Sequence, residues 1–200
     1  MRLLPEAPIP YALGMSKSAV AMSAWLGSLA RGGVLTAADV GEAGKAGMSV
    51  AAYVVGEEAL DALRAWMDEQ SDEVVTRERR AAVEVCIWMA NVDRDLDPEE
   101  SHLLSQIIAY SGLDEDTADE LVAEVHAPSS LDAVEERLTH PTLRELMLAL
   151  AWEMAEADFD VVPEERAAYR ELAQHLGVDA ARAEELRNAV SARISMPPSE

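Results

Sequence analysis

The sequence predicts an all-α protein, a bundle of about seven helices built from two duplicated three-helix units and preceded by a helical extension. Three observations carry this. Half of the residues are apolar but only 4% are aromatic, and Ala, Leu, Glu, Arg and Met dominate, a composition that favours helix over strand. Apolar residues recur at helical spacing from about Val74 onward. Residues 89–125 and 154–190 align without a gap at a constant offset of 65, with thirteen identities in 37 positions. An internal duplication of that length implies a repeated supersecondary unit.

The elements follow in order. Residues 1–10 hold three prolines and read as an irregular lead-in. Ser16 to Arg31 and Thr36 to about Val55 are rich in Ala, Gly, Ser and Met and read as two small-residue helices broken at Gly32-Gly33. Gly56 precedes a helix from Glu57 to about Glu69, and the polar stretch Gln70–Glu73 ends this N-terminal extension, residues 1–73. The duplicated domain, residues 74–194, opens on the stripe Val83, Cys86, Ile87, Ala90. Leu104, Ile107 and Ile108 make a second stripe, and Ala118, Leu121, Val122 and Val125 a third, with Gly112 as the stop between them. A linking helix is expected over Leu131–Leu138, and Pro141 opens the next. Leu143, Leu146, Met147, Leu150 and Met154 then repeat the first stripe. Leu172 and Leu176 repeat the second, and Ala183, Leu186 and Val190 the third. Residues 195–200 should fray.

The formal net charge is −22 and unevenly placed. Residues 1–80 carry 8 basic and 11 acidic side chains, net −3, and residues 81–200 carry 8 and 27, net −19. An acidic surface of that size repels phosphate backbones, which excludes nucleic-acid binding by the duplicated half and favours cations and basic protein partners. The lone Cys86, on an apolar stripe, is expected to be a buried and inert thiol. The apolar runs Ala19–Ala30 and Met48–Val55 fall short of the roughly 20 residues that a membrane span needs. Pro5, Glu6, Pro8 and Pro10 argue against a signal peptide, and a cytoplasmic chain is expected. Histidines 102, 126, 140 and 175 lack ligand spacing, and Trp25, Trp66, Trp88 and Trp152 read as core or boundary residues. Nucleophile elbow, phosphate loop and dinucleotide fingerprint are all absent, so a non-catalytic protein is expected.

Each copy carries an acidic turn between its first two helices: Asp93-Arg-Asp95-Leu-Asp97-Pro-Glu99-Glu100 and Asp158-Phe-Asp160-Val-Val-Pro-Glu164-Glu165. In the first, Asp97 as N-cap, Pro98 at the first helical position and Glu100 three residues past the cap form a capping box. In the second, Val162 occupies the cap position and cannot accept a hydrogen bond, so capping is expected to fail there. Both turns keep two aspartates spaced by one residue and a glutamate seven after the first. Such a triple gathers carboxylate oxygens in a small volume, the ligand set of hard cations. The candidate ligands are Asp93, Asp95, Asp97 and Glu100 in one turn and Asp158, Asp160 and Glu165 in the other, with Glu99 or Glu164 auxiliary. An EF-hand is not met, because Pro98 stands at the loop glycine and Leu104 at the bidentate glutamate.

The tandem pattern of an acidic turn, Pro-Glu-Glu, an apolar helix and a glycine resembles the TerB-like superfamily. The residues that carry the resemblance are Asp93, Asp95, Pro98, Glu99, Glu100 and Gly112-Leu113, then Ala157, Asp158, Asp160, Pro163, Glu164, Glu165 and Gly177-Val178. The resemblance implies a bundle of about seven helices, acidic hairpin turns that hold a divalent cation, and a role in stress-response systems, tellurite resistance among them, near the membrane. The family pattern has Gly directly after the first Asp, where this chain has Arg94 and Phe159, and Arg94 could pair with Asp93 or Asp97 in place of a cation.

The combined expectation is a divalent-cation-binding sensor or adaptor, calcium first and magnesium or manganese next. It would have a protein partner and act in the cytoplasm or at the inner face of the membrane. The rival is a metal-free acidic scaffold acting through its N-terminal helices, with residues 16–55 free to meet a partner or lie on a membrane surface. Oligomeric state is left open.

Overall fold

The computed structural model describes residues 51–92, 101, 104–105, 107–109, 111, 113–155 and 161–194, with Met154 described by its backbone alone. The expected helix over 16–31, most of that over 36–55, Trp25, His102, Gly112 and the tail 195–200 lie outside the described residues. Every described element is helical: residues 51–55, α1 (Glu57–Glu69), α2 (Asp72–Ala90), helical residues within 101–109, α3 (Glu115–Glu124), α4 (Val134–Arg137), α5 (Pro141–Ala155), α6 (Pro163–His175) and α7 (Ala180–Ile194).

The helix ends follow local chemistry. Gly56, at φ +93°, turns the chain into α1, whose first turn carries Glu57 and Glu58 at the positive end of the helix. Ser71 caps α2 through Val74 N–H. Asp114 caps α3, accepting the Thr117 N–H at 3.0 Å and its hydroxyl at 2.8 Å, and these bonds hold its carboxyl below the usual range. Asp179, its copy 65 residues on, caps α7 through the amides of Ala181 and Arg182, each at 3.0 Å. Between α6 and α7, Gly177 is left-handed at φ +63°; its N–H reaches Gln174 O and that of Val178 reaches Ala173 O, a Schellman stop.

α5 is the central helix, packed against α1, α2, α6 and α7. Leu146, Met147, Leu148 and Leu150 on it are all fully buried, so burial continues around the helix beyond the expected stripe. α2 is its counterpart in the first copy, packed on α5, α3 and α4, and Ala81 to Ile87 are buried without a break. Cys86 lies in that run, and burial pushes its thiol up to about 12, the expected inert cysteine. Leu104, Ile107 and Ile108 are buried as expected, as are the paired copies Leu121 and Leu186, Val125 and Val190, and Ala90 and Ala155.

The linking helix is shorter than expected. The Ser130 hydroxyl takes the Asp132 N–H and Ala133 is left-handed at φ 57°, so helix begins only at Val134. Polar groups then tie this link to the bundle. Glu78 on α2, fully buried, accepts the Thr139 N–H at 2.9 Å and the Thr139 hydroxyl at 2.5 Å. Arg144 on α5 donates to the carbonyls of Glu135, Leu138 and, at 3.5 Å, Leu176, which gather the ends of α4 and α6. Arg144→Met is expected to lower the unfolding free energy by about 1–3 kcal/mol, because carbonyls lose a charged donor. Urea denaturation checks it, and a change below about 0.5 kcal/mol, the usual scatter of surface substitutions, would refute the staple.

The acidic turns and the candidate cation site

α2 delivers the chain to the first acidic turn at a fixed point. Asn91, its C-cap, donates from Nδ2 to Ile87 O at 2.8 Å and to Val125 O at 2.9 Å, binding the end of α2 to the end of α3. No local pattern marks this clamp, since the carbonyl it reaches lies 34 residues away. Asp93, Asp95, Asp97, Glu99 and Glu100 lie outside the described residues, as do Asp158 and Asp160.

Of the candidate ligands, Glu165 is described, with its auxiliary Glu164, both in the first turn of α6. Val162 occupies the N-cap with extended backbone, Pro163 follows it, and Glu165 Oε2 accepts the Val162 N–H at 2.8 Å. The expectation that capping fails in this copy is therefore half corrected. A valine side chain accepts nothing, but the reciprocal bond from the third helical residue needs only the backbone of the cap residue and survives. Glu165 thus has a structural task of its own, whatever else it binds. Glu164 is exposed. Among the described residues, no three His, Cys, Asp or Glu side chains are grouped closely enough to hold a metal ion.

The described histidines have structural surroundings. His140 Nδ1 accepts the Thr142 N–H at 3.2 Å at the start of α5, and burial lowers its affinity for a proton. His175 lies 3.8 Å from Glu171 one turn earlier, and His126 is exposed. Trp152 is core, donating to Ser191 Oγ at 3.0 Å and meeting the Tyr169 ring edge-on at 5.1 Å. Trp66 and Trp88 are partly buried against the same core.

The duplicated halves also share an ion pair with its polarity reversed. Arg80 on α2 bonds Glu120 on α3 at 2.8 Å; Glu145 on α5, the copy of Arg80, bonds Arg182 on α7 at 2.6 Å, one turn before Glu185, the copy of Glu120. Two helices of each copy are thus bridged by an ion pair of opposite sense.

The family described as Tellurite resistance protein TerB matches residues 79–188, more than half of the 200-residue chain. The chain belongs to the TerB family. The TerB match begins within α2 and ends within α7, and so takes in both acidic turns and all the helices between them. It leaves α1 outside, although α1 packs on the TerB helix α5. No curated protein and no solved structure matches the chain. No described helix is long and apolar enough to cross a membrane.

Proposed function

We propose that this TerB-family chain is a non-catalytic, divalent-cation-binding sensor or adaptor in a tellurite- or metal-linked stress response, acting in the cytoplasm. The carrying observation is what the two copies keep. The identities Leu121/Leu186, Val125/Val190, Ala90/Ala155 and Asp114/Asp179 have core or capping roles in the fold. The aspartate pairs Asp93/Asp158 and Asp95/Asp160 are retained beside them in turns where like charges repel unless a cation joins them. Calcium suits such an oxygen-rich set best, and magnesium and manganese are the alternatives. The net charge of −19 on residues 81–200 favours a basic protein partner and makes anionic tellurite a poor direct ligand.

The test is thermal unfolding of metal-stripped protein with and without millimolar calcium, magnesium or manganese. A cation at about 100 times its dissociation constant adds about 2.7 kcal/mol, which for a chain of this size raises the midpoint by roughly 5–10 °C. Asp158→Asn with Asp160→Asn and Glu165→Gln should diminish that rise. Gln at 165 still accepts the Val162 N–H, so the cap is kept while the charge goes. A flat response of the unaltered protein to all three cations would defeat the proposal in favour of the metal-free scaffold, whose partner should be lost when residues 1–56 are deleted.

A further inference from the structure

Outside the family match, α1 is seated on α5 with Leu60, Leu63 and Met67 buried. Near its C-terminal end Trp66 lies against His140, ring centroids 5.0 Å apart and planes at 49°. His140 is half-buried at the start of α5, and because its Nδ1 accepts the Thr142 N–H, that nitrogen carries no proton. One imidazole therefore both caps the central helix and forms part of the seat of α1.

We propose that His140 is a pH-sensitive latch holding α1 on the TerB domain. A proton on Nδ1 would set one N–H against another and place a cation at the positive end of α5. The Thr142 cap is then lost, the ring must turn, and Trp66 loses its neighbour. The Trp66 face would attract an imidazolium, which offsets part of the effect. Burial works the other way, holding the imidazole below its ordinary value.

The charged groups on the surrounding elements are otherwise engaged or exposed. On α1, Arg64 pairs with Asp61 at 2.7 Å, and Asp68 and Glu69 are exposed. On α2, Glu78 holds Thr139, with Arg77 3.8 Å away. On α4, Arg137 pairs with the buried Glu84, and Glu135 and Glu136 are exposed. On α5, Arg144 serves carbonyls and Glu145 pairs with Arg182. Among the described residues, none of these is bonded to the imidazole.

The sign follows from the direction of the shift. The folded state prefers the neutral ring, so attachment is complete above the ordinary imidazole value of about 6.5 and weakens as pH falls below it toward the lower folded value. The latch is independent of any cation bound in the acidic turns.

Hydrogen exchange on the full chain, corrected for intrinsic rates and compared between about pH 8 and about pH 5, tests it. In the unaltered protein, α1 should lose protection at the lower pH while α5 keeps it. His140→Asn, which retains a capping acceptor but neither titrates nor offers a ring to Trp66, should remove the pH dependence, leaving α1 with the same protection at both, and His140→Ser serves the same purpose should the first variant not fold. Equal loss in variant and unaltered protein, or no loss in the unaltered protein, overturns the proposal. So does an NMR titration of the His140 ring with a midpoint above the ordinary imidazole value.

Discussion

Leu146→Ala is expected to cost about 2–5 kcal/mol of folding stability, a fall in thermal midpoint of roughly 5–20 °C for a chain of this size. Leu146 is fully buried on α5, the helix against which α1, α2, α6 and α7 all pack. A cavity there borders several helices at once, and closing it means moving one of them against the rest, so relaxation is limited. Truncation of the exposed Val122 to Ala should change stability by less than about 0.5 kcal/mol, since that side chain already faces water. Comparable costs for the two substitutions, measured by urea unfolding, would contradict the placement of α5 at the centre.

Arg80→Met combined with Arg137→Met is expected to destabilise by about 3 kcal/mol, the lower part of the range for a buried carboxylate left without its cations. Glu84 is only 8% exposed and lies between Arg80, at 3.0 Å, and Arg137, which reaches it from α4. The two arginines remain 35% and 30% exposed, so solvent already screens part of each pair. Adding Glu84→Met should restore most of the loss, because an apolar side chain of similar size needs no partner. A triple variant as unstable as the double would show that the arginines act by packing and not by neutralising Glu84.

Much of the fold was legible because it depends on local chemistry. The boundaries Glu57 and Pro141 are announced by the glycine before one and the proline at the other, and the structure starts α1 and α5 there. The paired caps Asp114 and Asp179 follow the same logic. Burial was underestimated, because a single apolar stripe describes a helix packed on one side and α2 and α5 are packed on several. Partners distant in sequence stayed hidden: Glu78 meets Thr139 across 61 residues, and Asn91 meets Val125 across 34. In the candidate site, spacing alone marked Glu165 as a ligand, while its bond to the Val162 amide required the entry angle of α6 to be known. Val162 lacks a cap side chain, and a sequence reading that tests only the side chain misses what the backbone donates.

The union of α2 with α5 bears on how the chain is made. These helices open the two copies, so neither copy owns its core, and Ala155 leaves the ribosome 65 residues after Ala90. At a synthesis rate of ~5–20 residues per second, α2 waits ~3–13 s for its main partner. During that interval α3 and α4, which also pack on α2, emerge first, and the part of the buried run Ala81 to Ile87 that α5 covers stays open to a chaperone or another nascent chain.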